Sequence, residues 1–198
     1  SFELGYGLRS EKFSANLNGY YTKWDDKSES AQVFDQVNDE QVFVNIPGVN
    51  AVHMGVELDF TWKPVDELKI TGMASVGDWK WNTKIINREV FNQQQQSLGF
   101  INGIIDDVKV GDAAQITALL GIDQGIGSNL KVDLDYRFVD GLYADYSITD
   151  SAFTNPDNDG ALKLPSYGLV DLGATFFAGN GWSLRANINN LLDTTYIA

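Results

Sequence analysis

Apolar and polar residues alternate along most of the chain with a period of two, which places successive side chains on opposite faces of extended strands. The alternation is clearest where Leu130, Val132, Leu134, Tyr136 and Phe138 interleave with Lys131, Asp133, Asp135 and Arg137. Trp182, Leu184, Ala186 and Ile188 repeat it against Ser183, Arg185, Asn187 and Asn189. The same period marks residues 2–8, 13–24, 52–62, 68–76, 116–122 and 170–176, so eight strands are expected. Short connections fall at 10–12, 63–67, 124–129 and 179–181, and long ones at 25–50, 82–111 and 144–166. Residues 98–108 read as a short helix within the second long connection.

Connections that alternate between short and long have no reason to arise in a soluble β-sandwich. They suit an antiparallel up-and-down barrel with tight turns on the periplasmic side and long loops outside. The strands, about 9–13 residues each, fit the ~9–11 residues that cross a bilayer at a tilt. Energetics then assign the faces. A charge on the lipid face at the midplane costs roughly 2–4 kcal/mol. Lys131, Asp133, Asp135, Arg137, Glu57, Asp59, Arg185 and Asn187 are therefore expected to face a wet lumen, with Leu130, Val132 and Leu134 facing lipid. Aromatics near strand ends fit an interfacial belt, with Trp24, Trp79, Trp81 and Tyr143 at the outer end and Trp62 and Trp182 at the inner.

Composition narrows the picture. The 198 residues suffice for one ordinary domain. No cysteine means no disulfide and no thiolate metal site, and one histidine excludes a His-rich zinc site. A net charge of −13 argues against nucleic acid. No run approaches the roughly 18–20 apolar residues of a membrane helix. Ser1-Phe2-Glu3-Leu4 lacks the basic start and apolar block of a signal peptide, which suggests a removed leader or an internal piece of a longer protein.

One box stands out after the last alternating strand: Asn190-Leu191-Leu192-Asp193-Thr194-Thr195-Tyr196. It resembles the Asn-Leu-Phe-Asp-x-x-Tyr box of TonB-dependent outer-membrane receptors, with Leu192 in place of the usual Phe. Leu164-Pro165-Ser166-Tyr167 resembles the family's Pro-x-Tyr entry into the preceding strand, Gly55-Val56-Glu57 its Gly-x-Glu strand, and Tyr136-Arg137 its Tyr-Arg strand. The resemblance implies an all-β transmembrane barrel fragment, about eight late strands of a barrel of about 22, residues 1–198 forming part of one domain. A plug, a TonB box, earlier strands and a final strand would lie outside the chain. It further implies active uptake of a scarce solute such as iron–siderophore, cobalamin or a glycan, by an integral protein of the Gram-negative outer membrane. The partners implied are outer-membrane lipid, TonB through the plug, a small-molecule or oligosaccharide ligand, and a surface lipoprotein. A passive porin and a soluble β-sandwich binding module are the alternatives.

Candidate chemistry is sparse. Glu57 and Asp59 share a face but fit lumen ion pairs better than acid–base catalysis, and no nucleophile–His set accompanies them, so no enzyme and no resident cofactor are expected. His53 reads as a lone hydrogen-bonded histidine. Asn155, Asp157 and Asp159, followed by Gly160, match the first half of a calcium loop, although Ser166 stands where its last ligand, a Glu, belongs. A solvated turn is the competing reading there. The acidic long connections also carry Phe34, Phe43, Tyr146 and Phe153, flat apolar faces suited to a ring-bearing ligand.

Overall fold

The computed structural model describes every residue except 36–37, 93, 148–152, 154–159 and 198. Its main element is one antiparallel sheet built from β1 (Phe2–Arg9), β2 (Phe13–Asp35), β3 (Glu40–Val65), β4 (Leu68–Trp81), β7 (Ile116–Ile126), β8 (Leu130–Asp140), β9 (Tyr167–Gly179) and β10 (Trp182–Ile188). These eight pair in chain order, the expected meander, and the sheet stays open with β1 and β10 at its edges. A separate hairpin of β5 (Lys84–Phe91) and β6 (Ser97–Ile104) is inserted between β4 and β7.

Two expectations about the long connections are corrected. Residues 98–108 are not helical, since β6 takes them as far as Ile104. Ser97, Gly99 and Ile101 pair across to Phe91, Val90 and Arg88, and Gly99 adopts φ +100°, which a helix cannot hold. Residues 25–50 are mostly not a loop either. β2 and β3 run to 23 and 26 residues, and Ala31↔Val44 and Val33↔Val42 continue their ladder well past the spanning stretch. Acidic residues mask this continuation in the sequence, while the small apolar residues between them keep the period of two.

Register makes the sheet two-faced. Leu4, Gly19, Val56, Val76 and Ile116 lie in consecutive cross-strand rows on one face, as do Ile188, Leu172, Leu134 and Ile122. That face is apolar yet uncovered, with Leu4 69%, Val56 51% and Leu184 72% exposed. A soluble sandwich would cover such a face with a second sheet, and a contiguous apolar surface this wide needs an apolar solvent. Trp62 and Trp182 are on it, 45% and 78% exposed, where an interfacial belt requires them.

The buried core sits outside the spanning strands. Ala31 of β2 packs with Val44, Ile46 and Val49 of β3, and with Ile85 and Val90 of β5. Ile105, Val108 and Phe153 complete the cluster. All three long connections thus share one hydrophobic core, and Trp81 at the end of β4 packs beneath it.

Candidate functional site on the polar face

The residues expected to share a wet surface do share a face. Row by row, Asp59 is flanked by Asn16 and Met73, Met73 by Leu119, Leu119 by Arg137, and Arg137 by Leu169. Parity then puts Glu57, Lys131, Asp133, Asp135, Arg185 and Asn187 on that same side. On its β7–β10 half the charges are largely neutralised. Arg185 grips Asp133 with two bonds, Nη1–Oδ1 at 3.0 Å and Nη2–Oδ2 at 2.9 Å, and also donates to Thr175 Oγ1 at 3.1 Å. Lys131 and Lys69 both approach Asp123, at 2.8 and 3.4 Å, and Arg137 reaches Asp171 at 3.5 Å. Bidentate pairing of this kind fixes geometry more than it adds stability where the charges are half exposed.

The β1–β3 half is different. Asp59 accepts from Asn16 Nδ2 at 3.0 Å, but neither Glu57 nor Glu3 forms an ion pair among the described residues. Above them sits an aromatic group. His53 stacks on Trp79 at 5.5 Å and meets Trp24 at 6.4 Å with rings tilted by 66°. Trp79 Nε1 donates to the Tyr20 hydroxyl at 2.8 Å. Tyr20 can lie this way because Gly55 and Gly77 leave the floor bare. A Cβ at Gly55 would come within 2.5 Å of the Tyr20 hydroxyl, and one at Gly77 within 3.2 Å.

This arrangement corrects the expected outer belt. Trp24 follows Tyr20 and Thr22 on β2, pairs with Ala51, and faces the polar side; Trp79 and Trp81 do likewise on β4. Tryptophan at a strand end is common in a belt, but only the face decides whether it meets lipid. Tyr20 belongs to no motif, and its bond from Trp79 is visible only once β2, β3 and β4 are in register.

Above the aromatic group the loop core closes over the same side. Trp81 N–H donates to Val108 C=O at 2.9 Å and Val110 N–H to Trp79 C=O at 3.0 Å, extending β4 with residues 105–110. Lys80 bridges Asp78 at 3.4 Å and Asp107 at 2.8 Å, and Lys109 contacts Asp78. Tyr146, tilted onto Phe153 at 4.5 Å, donates its hydroxyl to Lys109 C=O at 2.9 Å. Its burial pushes the phenol well above the ordinary tyrosine value. Lys27 lies 5.4 Å over the Trp81 ring.

The terminal box is a folded turn, not a strand extension. Asn190 and Asp193 take φ of 52° and 50°. Asn190 Nδ2 donates to Thr194 C=O at 3.0 Å, and its Oδ1 accepts the Thr194 N–H at 2.9 Å. The turn is tied to β9 by Asn190 N–H to Asp171 Oδ1 at 2.8 Å and Leu191 N–H to Val170 C=O at 2.7 Å, and Tyr196 stacks on Tyr167 at 4.6 Å. Leu192 is 67% exposed, so an apolar residue is all its position asks for, and Leu serves where the family has Phe. The calcium candidates Asn155, Asp157 and Asp159 lie outside the described residues, and among the described ones no group of three or more acidic, His or Cys side chains is placed to hold a metal ion.

A family model described as TonB dependent receptor-like, beta-barrel, matches residues 1–191. The chain belongs to this family of outer-membrane receptors and transporters. No curated protein matches it in sequence. Among solved structures it is similar to the copper transporter OprC, with a TM-score of 0.64 and 16% identity over 98% of this chain and 25% of that one. BauA, the ferric preacinetobactin receptor of Acinetobacter baumannii, aligns with a TM-score of 0.64 and 19% identity over 98% and 25%. A variant of PfeA, the ferric enterobactin receptor of Pseudomonas aeruginosa, gives 0.58 and 20% over 97% and 25%. At these identities the likeness concerns the fold, and the chain spans about a quarter of each of these TonB-dependent proteins.

Proposed function

We propose that the chain forms part of the wall of a TonB-dependent transporter that takes up a scarce solute across the Gram-negative outer membrane, the polar face lining the lumen and the apolar face meeting lipid. The observation that carries this reading is the sorting of the sheet into an uncovered apolar face and a polar face, ion-paired from β4 to β10, across all eight strands. Only lipid on one side and water on the other make both faces favourable at once. Family membership adds the energy source, coupling to TonB through a plug, and makes a barrel enzyme an unneeded hypothesis. The solute belongs to the classes that such transporters carry, metal chelates such as iron–siderophores, cobalamin or glycans. The loop core above the aromatic group is where it would first be met.

The test is uptake by cells expressing the complete receptor, with and without TonB. Accumulation of a labelled solute that disappears when TonB is deleted, or when the proton gradient is collapsed, supports the reading. Accumulation that persists unchanged in both conditions points instead to a passive channel.

A further inference from the structure

We propose that a level collar of lysines at the outer end of the apolar face binds the phosphate groups of the glycolipid that forms the outer leaflet. This deepens the uptake reading and rests on its assignment of the apolar face to lipid.

The collar is marked by the first charges beyond the apolar band. On the lipid side, β2 is uncharged up to Tyr21, β4 up to Val76 and β8 up to Phe138; Lys23, Asp78 and Asp140 come next. These three do not share a cross-strand row. Lys23 is in the row of Lys80, two residues beyond Asp78, and Asp140 is in the row of Val76, two residues short of it. The border thus falls about 6.6 Å along the strand for each ~9.6 Å across the sheet, the slope of a horizontal line on strands tilted by roughly 35°. The inner border slopes the same way. Trp182 lies six residues inward of Ile188, which shares the row of Trp62. At that tilt the run from Trp62 to Val52 on β3 covers roughly 27 Å of depth, close to the ~25 Å apolar band of outer-membrane barrels. The charges therefore stand at one height, where headgroups begin.

This surface belongs to the outside of the wall. Strands β2, β4 and β8 have neighbours on both sides, so further barrel strands extend the sheet sideways and a plug fills the lumen, and neither covers it. Parity puts Asp78 and Lys80 opposite Trp79 and Trp81, on the lipid side.

Four lysines meet here. Lys23, Val52 and Lys80 are neighbours in one row, and Lys109 pairs across from Lys80. Like charges directly opposite each other repel. Asp78 relieves this by reaching Lys80 at 3.4 Å and contacting Lys109, and Asp107 holds Lys80 at 2.8 Å. Lys23 pairs with Asp25 and Lys163 with Asp140, both at 2.9 Å. All four side chains remain partly exposed, and exposed pairs of this kind are worth only about 0–1 kcal/mol. A phosphate brings nearly two charges and three acceptor oxygens, so it can draw the amines from their carboxylates. Asp25 and Asp107 are the most exposed acids of the collar and can turn to water as it does so. Acyl chains of the same molecule find apolar ground directly below, where Tyr21 and Met54 share the row of Asp78 and are 45% and 40% exposed. Amines above and an apolar wall beneath fit a phosphorylated lipid better than a free anion.

The experiment uses the complete receptor purified in detergent and two probes, bisphosphorylated lipid A and the same lipid stripped of its phosphates, with bound lipid counted by native mass spectrometry. The bisphosphorylated form should bind saturably and the stripped form at least about tenfold more weakly. Lys80→Gln combined with Lys109→Gln should weaken the bisphosphorylated form by about tenfold or more, and Lys23→Gln alone by about fivefold. Lys69→Gln, the same charge change on the lumen face, should leave binding unchanged. Heat-modifiable mobility checks that each variant is folded, and Lys23→Gln keeps the test valid if the double variant misfolds. Inorganic phosphate at the lipid's concentration should not displace it. Equal binding of the two lipids, indifference to the lysine substitutions, or displacement by inorganic phosphate would each overturn the proposal. None of these readouts needs TonB or energy, so TonB-dependent uptake by a receptor that binds both lipids equally sinks the collar and spares the uptake reading, while TonB-independent uptake does the reverse.

Discussion

Arg185 on β10 and Asp133 on β8 are joined by two charge-assisted hydrogen bonds although a whole strand lies between them. The strand crossed is β9, and the residue beneath the bridge is Gly173, paired to Asp133 on one side and Asn187 on the other. A Cβ there would collide with the Asp133 carboxylate and lie 2.8 Å from Arg185 Nη2. Absence of a side chain on β9 is what lets its two neighbours meet.

Gly173→Val should therefore sever the bridge and strain the sheet. The expected cost is about 1–3 kcal/mol, the range for inserting atoms into packed space. Arg185→Ala should cost less, on the order of 1 kcal/mol, because its side chain is half exposed and screened. The readout is the temperature at which the folded barrel loses its fast electrophoretic mobility. Equal losses for both variants would show that the bridge, not the steric overlap, dominates.

Asn190 closes the terminal turn with its side chain, while Thr194 contributes only backbone atoms. Asn190→Ala should destabilise the barrel by about 1–2 kcal/mol, the order expected when local side chain–backbone bonds are lost. Thr194→Ala should stay within about 0.5 kcal/mol. Chemical denaturation in a detergent micelle separates the two.

The outer core should come apart as one unit. Ile46 and Ile85 are fully buried, on β3 and β5 respectively. Ile46→Asp or Ile85→Asp places an unpaired charge among apolar side chains, which the cluster cannot accommodate. Limited proteolysis should then cut within 82–111 and 144–166 together, with the spanning strands still protected. Shortening 25–50 should expose the same sites, since it removes Ala31, Val44, Ile46 and Val49 from the cluster.

Tyr146 gives that core a pH limit. Its phenol is neutral in the fold and burial holds its pKa above the unfolded value of about 10. The folded state thus resists deprotonation. The stability contributed is complete below pH ~10 and is lost as pH climbs above it, because unfolding then releases a proton that the fold retains. Protease sensitivity of the outer loops should rise above that pH, and Tyr146→Phe should flatten the rise. An unchanged profile in Tyr146→Phe would assign the transition to another group.

Much of this architecture is legible in the chain itself. A sheet between lipid and water sorts every residue by solvent, so Leu130 to Phe138 and Trp182 to Asn189 declare both strand and face without a structure. Connection lengths give the topology, and the Asn190 to Tyr196 box gives the family. Face parity was legible too, since Trp24 stands in step with Tyr20 and Thr22; position at a strand end was the weaker guide. What the tertiary structure alone decided involves residues far apart in sequence. The strands hidden in 25–50 and 82–111 form because Val44, Ile46 and Ile85 find one another, and neither segment carries a sufficient apolar face alone. The Arg185–Asp133 bridge needs the order β8–β9–β10 and a glycine in the middle. The aromatic group of Tyr20, Trp24, His53 and Trp79 exists only when β2, β3 and β4 lie in register. Period-two patterning states which side a residue faces; it says nothing of which neighbours share that side, because those contacts are set by sheet order and register.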